Sequence, residues 1–162
     1  MTPTLLATLN PLPSASRPPI RLIVARSVRR NEHSPLSLIK SLNYGDNILA
    51  RREAESRGAD DALMLNGRGH IACATVGNIF VRLGSHWMTP PLSEGILAGT
   101  ARCRLIRLLE AIEHPIDEAA LKDADVGLVS NSLGVTAIRE VDGRNWGEAE
   151  NFAASLPLFE EQ

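Results

Sequence analysis

The stretch SPLSLIKSLNYGDNILARREAESRGADDALMLN, Ser34 to Asn66, sets one amine among leucines, at Lys40. Elsewhere the basic residues are nearly all arginine: fifteen Arg stand against two Lys, Lys40 and Lys122. Either type serves as an exposed charge, whereas an amine that loses its proton and forms a covalent bond has to be lysine. Lys40 is the first candidate for nucleophile and acid–base group. The plainer reading is a stem packed on apolar neighbours with its ammonium in water.

Two further words could meet an anion. GILAGTARCRLIRLL, Gly95 to Leu109, sets a Gly-Thr-Ala turn at the front of a helix, where free N–H groups and the dipole favour phosphate. Arg102, Arg104 and Arg107 add positive potential there, or form a solvated face. VSNSLG, Val129 to Gly134, runs a strand into a polar turn whose Ser130, Asn131 and Ser132 could donate to an anion or simply cap the turn. Metalloprotease, nucleophile-elbow and Walker patterns are missing, and His33, His70, His86 and His114 lack ligand spacing. Asp60 and Asp61 read as a solvated helix end.

The elements that must position these groups follow from pattern. The first segment, with five prolines between Pro3 and Pro19, reads as an extended arm or interdomain linker over 1–19, leaving 20–162 as the folded domain. Ile20 to Val28 reads as a strand, and a helix is expected from about Asn43 to Arg57 with Ile48, Leu49 and Ala54 on its apolar side. ALMLN-GRGH-IACA and NIFVRLGSHWMT read as hairpins, and Leu97 to Ile112 as the clearest helix. A short helix at Asp117–Leu121 and the strands DVGLVSNS, GVTAIREVDG and RNW follow. Without a strict βαβ rhythm the class is α+β.

Composition bounds the rest. A chain of 162 residues suits one domain with a real core. A net charge of -2 and few aromatic residues argue against nucleic acid as a partner. The apolar runs are too short for a membrane span, no secretory signal opens the chain, and a cytoplasmic protein is expected. Cys73 and Cys103 have neither CxxC spacing nor a nearby His cluster and read as reduced thiols.

Taken in order, IKSLNYGDNILARREA, GADDALMLN, GRGHIACATVGNIFV, MTPPLSEGILAGTAR and VSNSLG resemble the class IV aminotransferases, the fold-type IV enzymes that use pyridoxal 5'-phosphate. The resemblance covers roughly Arg21 to Gly143. It implies the larger C-terminal domain of the D-amino acid aminotransferase-like fold, an α+β cofactor domain. By this resemblance Lys40 holds the cofactor as an internal aldimine and moves protons at the substrate carbon. The family chemistry needs a neutral amine, which a partly buried, leucine-rich setting would supply. Thr100 and Ala101 match the phosphate-binding turn through their backbone, Ser132 matches a hydroxyl on the phosphate, and Tyr44 lies near enough to approach the ring. Cys73 stands where the family usually has a Glu that pairs with the pyridine nitrogen; a thiol makes the ring a weaker electron sink. Ala101 replaces a usual threonine.

Family enzymes also carry a smaller N-terminal domain of about a hundred residues, within the usual domain range, and the expectation is that this chain corresponds to the cofactor domain alone. SPLSLIKSLNY and SNSLG look closest to 4-amino-4-deoxychorismate lyase, which eliminates pyruvate and leaves 4-aminobenzoate for folate synthesis. The alternative is a branched-chain or D-amino acid transaminase, and an alternative of another class is an N-terminally truncated, non-catalytic remnant. A small-molecule amino substrate and a homodimer are the partners that the resemblance implies.

Overall fold

IRLIV, proline-free and rich in β-branched residues, forms the first strand, β1 (Ile20–Val24). The computed structural model describes residues 5–9, 17–147 and 149–156. After a 3-10 turn at Pro35–Leu38 come helix α1 (Gly45–Ser56) and strands β2 (Asp61–Leu65), β3 (Ile71–Ala74), β4 (Asn78–Leu83) and β5 (His86–Thr89). A second 3-10 turn, Leu92–Glu94, leads to α2 (Thr100–Leu108), β6 (Ile112–Glu113) and α3 (Glu118–Asp123). The chain continues through β7 (Val126–Asn131), β8 (Gly134–Val141), β9 (Arg144–Asn145) and α4 (Glu150–Ser155).

The strands form one mixed sheet in the order β3-β2-β1-β8-β7-β4-β5-β6, with β9 beside β8. β1 runs parallel to both β2 and β8, so it is covered on either edge and buried from Leu22 to Val24. Because successive side chains point to opposite faces, Leu22 and Val24 enter one core with Leu63, Leu65, Ile79 and Ile138, while Ile23 joins Ala50, Ala54, Ala62 and Met64 under α1. A third cluster packs Leu105 of α2 on Phe80 and Leu128. Each fully buried Leu or Ile contributes roughly 1.5–3 kcal/mol. The sheet bends back on itself: β3, at one end of the order, runs through Thr75–Gly77 into β4, and the Ala74 N–H donates to the Gly77 carbonyl at 2.9 Å. The α+β class and both expected hairpins are found, with Met64 paired to Cys73 and Val81 to Met88.

Several expectations are corrected. On α1, Ile48 and Leu49 are half exposed, and the buried stripe is Asn47, Ala50 and Ala54. Alanines let the helix lie close on β2, and Asn47 turns inward to donate to the Thr75 carbonyl at 2.7 Å. The helix expected from Leu97 begins only at Thr100, because Gly99 is its extended N-cap, and it ends at Leu108. Asp60 and Asp61 are no helix end: Asp60 accepts from the Arg21 N–H, and Asp61 opens β2 as a buried residue held by the Thr75 hydroxyl. Of the proposed arm, residues 1–4 and 10–16 lie outside the described residues. Among the described residues no helix is long and apolar enough to cross a membrane.

Candidate functional site

One cavity of about 540 Å³ opens where the β3–β4 turn, the β7–β8 turn and the N-terminal ends of α1 and α2 converge. Lys40, Tyr44, Cys73, Thr100, Ala101 and Ser132 all line it. They come from the loop before α1, the start of α1, β3, the first turn of α2 and the β7–β8 turn.

The loop that carries Lys40 is built by short-range polar bonds. Ser34 caps the 3-10 turn by accepting from the Leu36 N–H, Ser37 is buried and donates to the Asn31 carbonyl at 2.7 Å, and Ile39 returns the chain to an extended path. Lys40 itself is exposed, as are Leu36, Leu38, Ile39 and Leu42. The leucine-rich setting expected to enclose the amine is therefore the open rim of the cavity, with side chains facing outward. The ammonium lies 5.4 Å from the centroid of the Tyr44 ring. Tyr44 is fixed by its hydroxyl, which donates to the Thr75 carbonyl at 2.9 Å.

Arg30 was not singled out by sequence, yet it lines the cavity. Its guanidinium donates to the Gly95 carbonyl at 3.0 Å, the Ser37 carbonyl at 2.9 Å and Asn47 Oδ1 at 3.3 Å. One side chain thus ties together the Lys40 loop, α1 and the approach to α2. Nothing separates Arg30 from the other arginines in the sequence. Its partners are backbone carbonyls that only the folded chain gathers.

At α2 the first-turn N–H groups have no side-chain cap, and Thr100 and Ala101 turn this end toward the cavity. The approach is close because residue 99 is glycine: a Cβ there would stand 2.5 Å from Asn78 Oδ1. Asn78 is held in turn by donating to the Leu97 carbonyl at 2.9 Å. Of the arginines expected to add positive potential here, none lines the cavity. Arg102 is buried on the far side, bonded to the Pro90 carbonyl and Glu113, and Arg107 donates to Cys103 Sγ at 3.2 Å. Ser132 sits on a turn shaped by Asn131, whose Oδ1 accepts from the Leu133 N–H and whose amide donates to the Val76 carbonyl at 3.3 Å.

The charge pattern is one-sided. Arg30 and Lys40 are the cations of the described wall, and it contains no Asp or Glu. Burial pushes the Cys73 thiol up to about 11, Arg30 pulling the other way and Asp61 adding to the rise. Burial also raises the Tyr44 phenol above its ordinary value. Both are neutral at physiological pH. Two cations and a bare helix N-terminus equip the cavity for an anionic group such as a phosphate ester, and Lys40 supplies an amine for a carbonyl.

The family model for amino-transferase class IV matches residues 1–141. The aminodeoxychorismate lyase of Bacillus subtilis is 30% identical over 159 residues, covering 94% of this chain and 54% of the lyase. The branched-chain aminotransferase of Thermoproteus uzoniensis, solved with norvaline, is 30% identical with a TM-score of 0.78, over 85% of this chain and 49% of that one. The branched-chain amino acid aminotransferase of Thermobaculum terrenum, solved in its PLP form, is 27% identical with a TM-score of 0.76, over 84% of this chain and 48% of that one. The chain spans about half the length of the relatives it matches.

Proposed function

This chain belongs to the amino-transferase class IV family, and from that premise we propose that its cavity binds pyridoxal phosphate and serves a lyase acting on 4-amino-4-deoxychorismate. The observation that carries this reading is the convergence of Lys40, Tyr44, Cys73, Thr100, Ala101 and Ser132 on one cavity with an uncapped helix end. The donor set fits the phosphate and the aldehyde; for the ring nitrogen the described wall offers no acid.

When bound, the cofactor supplies an aldehyde that takes amines and a ring that draws electron density from the attached carbon. Lys40 would hold that aldehyde, and its amine would take the proton from the substrate carbon that bears nitrogen. The pair freed there would form the new ring double bond as the neighbouring carbon–oxygen bond breaks, and the proton taken by Lys40 would pass to the departing oxygen, so that pyruvate leaves in its enol form and 4-aminobenzoate remains. The N–H groups of Thr100 and Ala101 and the Ser132 hydroxyl would hold the phosphate, with Ala101 contributing backbone alone. Arg30 keeps the three segments in register and adds positive charge. Tyr44, pinned at Thr75, limits where the Lys40 amine can travel. Folate synthesis in the cytoplasm and homodimeric assembly belong to the same reading, and sedimentation tests the second.

Transamination of a small amino acid on the same lysine is the second reading, supported by the likeness to the norvaline-bound aminotransferase. The deciding experiment loads the chain with pyridoxal phosphate, reduces it with borohydride and maps the phosphopyridoxyl adduct by mass spectrometry. One adduct on Lys40, absent in Lys40→Ala, is expected, followed by 4-aminobenzoate and pyruvate in equal amounts from aminodeoxychorismate. Scattered or absent labelling refutes the cofactor reading and leaves a non-catalytic relative; labelling with amino-group transfer and no pyruvate refutes the lyase.

A further inference from the structure

We propose that this site holds its cofactor with the pyridine nitrogen unprotonated, because the described wall of the cavity offers that nitrogen no carboxylate. The inference rests on the pyridoxal phosphate reading and adds the charge state of the ring.

The titratable groups of the described wall are Arg30, Lys40, Tyr44 and Cys73. Arg30, Lys40 and Tyr44 lie on the β1–α1 connection, Tyr44 as the N-cap of α1, and Cys73 lies on β3. None is an acid that ionises near neutral pH, and Cys73 and Tyr44 keep their protons because burial disfavours their anions. A carboxylate stands close behind the wall, but it is engaged elsewhere. Asp61 is buried, receives the Thr75 hydroxyl and the Ala62 N–H, and has Arg51 Nη1 at 3.8 Å. It does not line the cavity. Asp46 on α1 is exposed and also lies outside the wall.

No residue of the described wall is an Asp or Glu, so none of them can supply the nitrogen with a carboxylate. A proton on it would add positive charge near the Arg30 guanidinium, whose field already reaches Cys73, and like charge disfavours the charged form. A neutral ring draws electrons less strongly. Such a site suits a substrate that supplies its own driving force, as when loss of enolpyruvate leaves an aromatic ring. It suits amino-group transfer between aliphatic acids less well.

The test uses pyridoxal phosphate labelled with 15N in the ring, bound to the whole chain and freed of excess by gel filtration. At pH 7 the nitrogen resonance of the wild-type protein is expected at the position of a free pyridine. Cys73→Glu should shift it to the pyridinium position, and Cys73→Ala should leave it unmoved. A pyridinium resonance in the wild-type protein overturns this proposal while leaving the cofactor reading intact. Loss of all label on gel filtration overturns both. If Cys73→Glu does not fold, the wild-type resonance still decides the question.

Discussion

The Lys40 ammonium lies 5.4 Å from the centroid of the Tyr44 ring, and the Tyr44 hydroxyl is tied to the Thr75 carbonyl at 2.9 Å. The aromatic face anchors the mobile end of an otherwise exposed lysine. Tyr44→Phe keeps the ring and loses only the hydroxyl bond. It should cost about 1 kcal/mol in urea unfolding and retain the borohydride-trapped adduct on Lys40, whereas Lys40→Ala loses the adduct at little cost in stability. Equal loss of adduct in both variants refutes the purely anchoring role of the hydroxyl.

Gly99→Ala tests the approach of α2. The new Cβ meets Asn78 Oδ1, which is itself held through the Leu97 carbonyl, so the helix end has to withdraw. Losing one charge-assisted bond from a phosphate costs roughly 1.5–3 kcal/mol. Pyridoxal phosphate affinity, followed by absorbance titration, should fall tenfold or more, and unchanged affinity would show that α2 does not carry the phosphate.

Arg30→Gln should combine both effects. Removing the guanidinium frees carbonyls at Gly95 and Ser37 and unties Asn47. Denaturant unfolding should show a loss of about 2 kcal/mol or more, with weaker cofactor binding. A variant of full stability and affinity would leave Arg30 a bystander.

The two thiols should react very differently. Cys73 is buried and protonated, whereas Cys103 is exposed on α2. A disulfide reagent at pH 8 should modify one thiol rapidly in the folded chain and both in denaturant, and Cys103→Ser should remove the fast phase. A persisting fast phase in that variant would place Cys73 within reach of solvent.

Stability at low pH should depend on Glu53. Burial raises its pKa, but the Ser27 hydroxyl, the N–H groups of Ser27 and Arg26, and Arg57 outweigh that and bring it down to about 2. The folded value is depressed, so the stabilisation is complete above the unfolded value of about 4.3 and disappears as pH falls through about 2. The acid-induced drop in melting temperature between these limits should be smaller in Glu53→Gln; parallel curves would contradict it.

How much of this was legible depended on whether the cause was local. Lys40 stood out because its type is rare in this chain, and the glycine turn before α2 followed from rules about helix starts. Ile48 and Leu49 misled because local apolarity says nothing of which side of a helix has room, and the close fit on β2 selects alanines. Arg30 and Asp61 were invisible for the same reason: their partners lie at residues 37, 47 and 95 for one and at Thr75 for the other, and they meet only in the folded chain. The unusual position of Cys73 was readable only through the family resemblance.

The cavity draws on residues from Arg30 to Leu133, at the place where the sheet returns to itself between β3 and β4. A ligand there touches the Lys40 loop, β3, the first turn of α2 and the β7–β8 turn, which are distant in sequence and meet only in the folded chain. Occupancy is therefore coupled to the folding of all these segments rather than to one loop, and a bound ligand acts as a thermodynamic latch. Its contribution grows with the logarithm of free ligand concentration once the site is filled. Cellular cofactor supply would then help set how much of this chain survives proteolysis.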